Sequence, residues 1–462
     1  MGELNEFKIK IPKFKLQPTQ ILVIGFSAII LIGAILLNMP IASVKGESLG
    51  FLNALFTATS AVCVTGLVVA DTGTYFSLFG QIVIISLIQI GGLGFMTMAT
   101  TVFLILGKRI TLRERLVIQE ALNEENLQGV VRLTRQILLT TFLIELAGAA
   151  LLSTRLIPMY GFAKGIYFSL FHSISAFCNA GFDLFGGYRS LVPFVNDPVI
   201  ILTIGSLIMV GGLGFTVILD IYRHRGFRRI CLHSKIVLSM TAFLIAAGFI
   251  FFYVVEIKNP KTIGSSELTE TGRVLSALFQ SITPRTAGYN SIDQDAMTNA
   301  SKFMTIILMF IGASPASTGG GIKTTTASLI FLMMLAVVKG QDDIVIFRKR
   351  ISHSIGMRAI AIVVISLTIL VGVTMVVSLA EADKTSPMFS FVNIFYEVAS
   401  AFGTVGLTTG ITRDLTDISK VFLILTMFAG RLGPLTLALA FARRHSRKKP
   451  VIKYPEDKLM IG

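Results

Sequence analysis

The sequence predicts an all-α integral membrane protein with four tandem helix–pore-loop–helix repeats. The repeats would place eight transmembrane helices and four re-entrant half-helices around one pseudo-fourfold pore. Three observations predict this fold. Only 15% of the 462 residues are charged and 53% are hydrophobic, whereas soluble domains average about 25% charged residues. Long apolar segments, of the roughly 20 residues that cross a bilayer, alternate with shorter ones. A similar glycine-containing motif ends the shorter segments.

The composition also excludes several classes of protein. A soluble multidomain chain does not fit the apolar content, and Cys63, Cys178 and Cys231 are too few for a disulfide scaffold. The net charge of +15 would indicate nucleic-acid binding only if it lay on one exposed domain. The sequence contains no metal-binding Cys/His spacing, nucleophile elbow or catalytic carboxylate pair, so we expect neither an enzyme nor a bound cofactor.

The long and short segments follow a regular order. The eight predicted spans are 19–39, 77–106, 134–155, 197–222, 232–256, 301–339, 357–380 and 420–442. The four short segments are 51–61, 165–177, 270–282 and 388–401. Segments of this shorter length cannot cross a hydrocarbon core about 30 Å thick and are typical of re-entrant helices. The order long–short–long therefore occurs four times.

The positive charges give this arrangement an orientation. Both tails and the linkers near 107–133, 223–235 and 339–358, together with the flanking Arg135 and Arg443, hold 27 of the 41 lysines and arginines. The side with the short segments holds 12, and the two sides carry net charges of +16 and −2. The positive-inside rule then predicts a multi-pass membrane protein with both termini in the cytoplasm.

The short segments end in related motifs at 60–67, 175–182, 282–289 and 400–407, which read SAVCVTGL, SAFCNAGF, ITPRTAGY and SAFGTVGL. Their shared glycines are Gly66, Gly181, Gly288 and Gly406. A second small-residue cluster follows each glycine after 24 to 30 residues, beginning at Gly91, Gly211, Gly312 and Gly430. Two landmarks at similar offsets indicate an internal repeat.

The chemistry of such a unit indicates an ion pathway. The C-terminal end of a half-helix that points to mid-membrane favours a cation. The chain must then return to the surface, and its carbonyl oxygens are tolerated at that depth only where they face water or an ion. We therefore predict a selectivity filter for a monovalent cation. Its residues would be Val64, Thr65, Gly66, Asn179, Ala180, Gly181, Thr286, Ala287, Gly288, Thr404, Val405 and Gly406.

These motifs resemble degenerate versions of the Thr-Val-Gly-Tyr-Gly filter of potassium channels. The chain as a whole, over about 19–443, resembles the Trk, Ktr and HKT superfamily of potassium transporters, and the Ktr membrane subunits in particular. The resemblance implies potassium uptake, often sodium-dependent, by a homodimer bound to a cytoplasmic RCK-type ring of nucleotide-binding subunits. Only one glycine per repeat is shared, which predicts fewer well-matched ion sites than in a symmetric channel.

The sixth long segment is interrupted by residues that break helices. Its run 312–321 contains four glycines and a proline, which cannot continue a regular helix. The resemblance implies a gate beneath the filter, carried by this loop and two intramembrane cations. The gate residues would be Ser314, Pro315, Ala316, Ser317, Thr318, Gly319, Gly320, Gly321, Lys323 and Arg431. The alternative is a structural kink filled by neighbouring side chains.

Other polar residues have less specific interpretations. Arg285 and Glu397 lie in neighbouring pore segments and could pair behind the filter. Glu145 is expected to be hydrogen-bonded between helices, although a sodium or proton role stays open. His172 is expected to pack rather than to act chemically. The cluster Gly-Gly-Leu-Gly at 91–94 and 211–214 favours close helix packing over a phosphate site.

The predicted boundaries follow from these assignments. They are a tail at 1–18, repeats at 19–106, 134–222, 232–339 and 357–443, linkers at 107–133, 223–231 and 340–356, and a tail at 444–462. The basic run 443–449 could dock the ring or simply face solvent or lipid, and 458–462 could contribute to a dimer. The alternative function is a coupled secondary transporter of another monovalent cation or a small solute.

Overall fold

The computed structural model describes residues 18–94, 116, 130–224, 226–341 and 343–441. Its helices fall into four consecutive groups. The first contains α1 (Pro18–Asn38), a 3-10 turn (Pro40–Ala42), α2 (Phe51–Val62) and α3 (Leu78–Leu93). The second contains α4 (Val130–Tyr160), α5 (Phe162–Phe177), a 3-10 turn (Val192–Phe194), α6 (Pro198–Leu213) and α7 (Phe215–Arg223).

The third group contains α8 (Leu232–Glu256), α9 (Glu270–Ile282), α10 (Asn299–Phe310) and α11 (Thr324–Val338). An antiparallel hairpin of β1 (Ile344–Ile346) and β2 (Lys349–Ile351) precedes the fourth group. That group contains α12 (His353–Ala380), 3-10 turns (Pro387–Phe389 and Thr412–Asp414), α13 (Phe391–Gly403), α14 (Asp417–Leu432) and α15 (Pro434–Phe441). This hairpin is not among the elements predicted from the sequence. The predicted tails, most of the linker 107–133 and the run 443–449 lie outside the described residues.

Side-chain caps define where several of these helices begin. The hydroxyl of Ser77 accepts a hydrogen bond from the backbone N–H of Gly80 at the start of α3. Thr298 and Thr416 cap α10 and α14 in the same way. At the start of α6, the Asp197 carboxylate accepts from two backbone N–H groups. Such caps satisfy N–H groups that have no partner within the helix.

Among the described residues, four helices are long and apolar enough to cross a membrane. They are α1, most of α4, α8 and α12, with mean hydropathies of 2.7, 1.8, 2.3 and 2.9. The pair α6 and α7 would make a fifth span, but the two helices meet at an angle of 93°. The described residues therefore contain several apolar spans and one bent pair of helices that resembles a re-entrant segment.

The predicted spans 197–222 and 420–442 are not continuous helices in the structure. Gly214 and Gly433 have φ angles of +94° and +85° and separate α6 from α7 and α14 from α15. In the span 77–106, α3 ends just before Gly94, whose φ is +82°. A positive φ cannot continue a right-handed helix, and only glycine adopts it without steric cost. The sequence predicts an interruption only at 312–321, where α10 and α11 are indeed separated.

The helix contacts between groups are cyclic. Helix α3 packs on α5, α6 on α9, α10 on α13, and α14 on α2. The third helix of each group thus contacts the short second helix of the next group, and the fourth group returns to the first. One hydrophobic core contains buried residues from all four groups. This packing brings the C-terminal ends of the four short helices together.

Candidate ion pathway

The four predicted filter segments share one backbone conformation. Two residues before each glycine, Val64, Asn179, Thr286 and Thr404 have φ angles of +57°, +60°, +74° and +49°. The glycines Gly66, Gly181, Gly288 and Gly406 have φ angles of +93°, +69°, +82° and +93°. Non-glycine residues rarely adopt positive φ, which costs on the order of 1–3 kcal/mol each. The same strained conformation in four segments of different sequence indicates a common structural requirement.

The glycines form a closed ring. A Cβ atom added at Gly66 would overlap the carbonyl oxygen of Ala180, and one at Gly181 would lie 2.6 Å from that of Ala287. In the same way, Gly288 faces the carbonyl of Val405, and Gly406 faces that of Thr65. Each glycine therefore lies against the carbonyl group that precedes the glycine of the next repeat. Four backbone segments meet around one axis, and any side chain at these positions would push them apart.

Hydroxyl groups at the ends of the short helices hold the filter segments. Ser60 and Ser400 accept hydrogen bonds from the backbone N–H of Gly66 and Gly406, both at 3.0 Å. Ser175 donates to the carbonyl of Phe182 at 2.8 Å, and Thr283 donates to that of Tyr289 at 2.5 Å. These four residues are not among the site residues predicted from the sequence. The recurring Ser-Ala at the start of three motifs was the signal that could have identified them.

The loop 312–321 lies directly against one end of this ring. The N–H of Gly320 donates to the hydroxyl of Thr404 at 3.1 Å. A Cβ atom at Gly319 would overlap the hydroxyl of Thr286. The N–H of Ser314 donates to the carbonyl of Gly212 at 3.0 Å, and the N–H of Phe215 donates to that of Ala316 at 2.9 Å. The loop is thus hydrogen-bonded to a filter segment and to both sides of the bend at Gly214.

The two predicted intramembrane cations bind backbone carbonyls around the loop. Lys323 donates from Nζ to the carbonyl of Gly319 at 2.7 Å. Arg431 donates to the carbonyls of Thr318 and Gly91, and at 3.2 Å to that of Gly92. Because α14 carries Arg431 and α3 carries Gly91, one guanidinium joins the loop to the first and fourth repeats.

Two cavities lie on opposite sides of the ring. The upper cavity has a volume of about 430 Å³ and is lined by Gly288, Gly406 and polar residues that include Asp293, Asp295 and Arg413. The lower cavity has a volume of about 400 Å³ and is lined by loop residues and by Gly94, Gly433, Lys323 and Arg431. The filter segments and the loop therefore separate two spaces large enough for hydrated ions.

One predicted contact behind the filter is wrong. Arg285 donates to the hydroxyl of Thr241 at 3.2 Å. Glu397 accepts from Thr408 at 2.8 Å and from Thr412. Among the ion pairs of the described residues, none joins Arg285 to Glu397. Arg285 instead binds one hydroxyl group and Glu397 binds two, each within its own repeat, and Nε of Arg285 has no hydrogen-bond partner among the described residues.

The predictions for His172 and Glu145 are confirmed. The ring of His172 is fully buried, hydrogen-bonds the carbonyl of Phe168 at 2.6 Å and stacks on Phe185. Its Nε2 accepts from the N–H of Leu184 at 3.2 Å, so it holds the chain that follows the second filter segment. Glu145 on α4 accepts from Gln89 on α3 at 3.1 and 3.3 Å.

Comparison with known proteins agrees with this geometry. The profile of the TrkH family, described as a cation transport protein, matches residues 6–451. The chain belongs to the TrkH family. It is therefore a multi-pass membrane transporter and not an enzyme.

Several proteins are similar to this TrkH-family chain over nearly their whole length. The Ktr system potassium uptake protein B of Bacillus subtilis is 43% identical over 97% of both chains. The potassium/sodium uptake protein NtpJ of Enterococcus hirae is 43% identical over 97% of this chain and 98% of its own. The crystal structure of the potassium transporter TrkH from Vibrio parahaemolyticus matches with a TM-score of 0.71 at 17% identity, over 93% of this chain and 86% of that one. The last comparison supports the fold alone.

Proposed function

We propose that this protein takes up potassium ions through a single pore formed by its four repeats. The closed ring of glycines carries the proposal, because it brings four carbonyl-bearing segments around one axis between two cavities. Two relatives with 43% identity over nearly the whole chain are named as potassium uptake proteins, one of them for potassium and sodium.

The proposed filter consists of the twelve residues that end at Gly66, Gly181, Gly288 and Gly406. Carbonyl oxygens in such rings replace the hydration shell of a monovalent cation without requiring a carboxylate. The carbonyls of Thr65, Ala180, Ala287 and Val405 abut the glycines of the neighbouring repeats and form the central layer. Potassium is the transported substrate, and sodium is a candidate co-ion.

The proposed gate consists of Ser314 to Gly321 together with Lys323 and Arg431. The loop lies against the hydroxyls of Thr286 and Thr404, at the lower end of the filter. It therefore blocks the path from the filter to the lower cavity. Its only attachments among the described residues are hydrogen bonds and van der Waals contacts, which can be exchanged without unfolding a helix.

The remaining parts of the proposal concern topology and partners. We assign the basic linkers and both termini to the cytoplasm of a bacterial cell, and we keep the repeat boundaries predicted from the sequence. We also propose a homodimer bound to a cytoplasmic nucleotide-binding ring; the similarity to a protein named as part of a Ktr system supports a partner within such a system. The upper cavity then faces outward, and its Asp293 is placed to attract cations, whereas Asp295 is paired with Lys302.

The test is potassium uptake by cells that lack their own potassium transporters, with the four filter glycines individually replaced by serine. Each variant adds a side chain where a neighbouring carbonyl already lies. We expect growth at low potassium to fail or the Michaelis constant for potassium to increase at least about tenfold, since the ring must open.

Gly161→Ser is the matched control. Gly161 also has a positive φ, +83°, but no described atom lies within 4 Å of a Cβ added there. The Gly161→Ser variant has only the steric cost of a positive φ, so its potassium uptake should stay near that of the original protein. If all four filter variants behave like the Gly161 control, the glycine ring is not the ion pathway. Repeating the assay with and without sodium and a ring partner tests the co-ion and the regulation separately.

A further inference from the structure

Glu145 is a buried carboxylate inside a helix that is long and apolar enough to cross a membrane. It is 2% exposed on α4. Among the ion pairs of the described residues, none includes Glu145. Carboxylates within the membrane are costly and are retained where they serve a function. The pathway described above does not use this one.

Gln89 connects Glu145 to the second filter segment. Its Nε2 donates to both carboxylate oxygens of Glu145, and its Oε1 accepts from the thiol of Cys178 at 3.4 Å. The carboxylate needs a donor and the thiol supplies one, so only one orientation of the amide satisfies both neighbours. Glu145 therefore fixes the amide that binds the sulfur.

Cys178 occupies the junction between α5 and the filter. Its N–H donates to the carbonyl of Ile174 at 2.9 Å, and the next residue, Asn179, has the positive φ of the filter. A Cβ added at Gly92 would lie 2.7 Å from the sulfur, so α3 packs directly on this residue. A displacement of Cys178 would shift the backbone that leads to Gly181.

A second contact anchors α4 to the same short helix. The carbonyl of Glu145 accepts from the hydroxyl of Ser173 at 2.6 Å. The turn of α3 that carries Gln89 also presents the carbonyls of Gly91 and Gly92 to Arg431. The carboxylate thus lies at one end of a chain of contacts that reaches both the filter and the loop below it.

We propose that Glu145 is a positioning residue for ion discrimination, acting through Gln89 and Cys178 on the second filter segment. This inference rests on the proposed function. When Glu145 is absent, the amide of Gln89 loses its fixed orientation and the sulfur loses its acceptor. The filter segment around Asn179 then has more than one position, and discrimination between potassium and sodium decreases.

The experiment measures potassium and sodium uptake into liposomes that contain the purified full-length protein. The variants are Glu145→Leu, Gln89→Leu, the double variant and Glu145→Gln. The two Leu variants should each lower the preference for potassium over sodium about threefold to tenfold, the effect of one hydrogen bond. The double variant should be no worse than either, because both break the same chain. Glu145→Gln retains an oxygen for Gln89 and should stay within about twofold of the original protein.

Thr154→Val is the matched control. Thr154 lies on the same helix and donates only to the carbonyl of Leu151 within it, so its removal should leave ion preference unchanged. Cys178→Ser and Cys178→Ala test the chain from its other end, and only the alanine variant should lower the preference. This pair keeps the inference testable even where Glu145→Leu does not fold.

Two results would overturn the inference. One is an unchanged ion preference in Glu145→Leu at normal protein content. The other is a loss in Glu145→Gln as large as that in Glu145→Leu, since the carboxylate would then act by its charge and not by position. If the original protein itself carries no potassium into the liposomes, the proposed function fails instead.

Discussion

At the scale of single residues, the contribution of the hydroxyl groups behind the filter to the stability of the protein can be measured. Replacing Ser400 by alanine removes the acceptor for the N–H of Gly406. A buried N–H without a partner costs about 1–3 kcal/mol. We expect Ser400→Ala to lower the thermal unfolding temperature in detergent and to weaken the preference for potassium.

Ser153→Ala is the control for this variant. The hydroxyl of Ser153 donates to the carbonyl of Ala150 within its own helix and is exposed, so its loss leaves no buried group without a partner. Unfolding monitored by fluorescence and uptake assays on Ser400→Ala and Ser153→Ala test whether the Ser400 hydroxyl holds the filter segment. Equal unfolding temperatures would show that the hydroxyl of Ser400 does not hold the filter.

The sequence allowed the glycines of the filter to be predicted, because a repeated glycine is visible without coordinates. It did not allow the partners of polar side chains to be predicted. Arg285 and Glu397 were expected to pair because both lie on pore segments, yet each binds hydroxyl groups. The direction of a side chain around its helix depends on packing between repeats, which a local motif does not contain.

At the scale of the secondary-structure elements, the bend at Gly214 and the loop 312–321 act as one unit. A Cβ atom at Gly214 would lie 2.5 Å from the carbonyl oxygen of Pro315. Gly212 and Phe215, on either side of the bend, are hydrogen-bonded to the loop. We therefore expect Gly214→Ala to push the loop away from the filter and to increase basal potassium flux in the absence of a ring partner.

Gly433→Ala provides the comparison. Gly433 has nearly the same φ, +85°, but the nearest described atom to a Cβ added there is the Thr436 hydroxyl oxygen at 3.8 Å. In both variants, alanine must adopt a positive φ, which costs on the order of 1 kcal/mol. Only Gly214→Ala also disturbs the loop. Flux measured in liposomes should rise in Gly214→Ala alone. A similar change in both would mean that the break itself, and not its contact with the loop, controls the flux.

The break in the sixth segment could be predicted from the sequence and the others could not, for a physical reason. The run 312–321 holds four glycines and a proline, too many for any helix. At Gly94, Gly214 and Gly433, only a few small residues occur within strongly apolar segments. Such residues are common at close helix contacts in membranes, and indeed Gly91 lies against the carbonyl of Val62. At these positions, close helix packing and a helix break therefore produce the same pattern of small residues in the sequence.

At the scale of the whole molecule, one pseudo-fourfold pore could be predicted from the repeats, but the contacts that close the ring could not. The four contacts between consecutive repeats use different chemistry at equivalent positions. Gln81 accepts from Tyr167 at 3.0 Å, and Lys420 donates to Asn53 at 3.1 Å. At the corresponding place between the second and third repeats, Ile201 and Leu275 are both buried in the hydrophobic core. These pairs differ in chemistry, so no single repeated motif marks the contacts that close the ring.

The contact between the third and fourth repeats gives the sharpest test of this closure. Lys302 on α10 is 5% exposed and donates to Asp295 and to Asn393 on α13, both at 3.0 Å. Hydrogen bonds to a buried charge contribute about 1.5–3 kcal/mol. Lys302→Met should therefore lower the unfolding temperature by several degrees.

Arg350→Met is the control for Lys302→Met. Arg350 pairs with Asp343 at 2.7 Å on the hairpin, but 72% of its side chain is exposed, and such pairs contribute at most about 1 kcal/mol. Both variants remove one positive charge, and their unfolding temperatures are compared in detergent. A lower temperature for Lys302→Met would therefore result from the burial of Lys302 at the interface between repeats. Equal temperatures would mean that this interface does not limit stability. Because α13 also carries the fourth filter segment, the loss in Lys302→Met should be accompanied by a higher Michaelis constant for potassium, which Arg350→Met should leave unchanged.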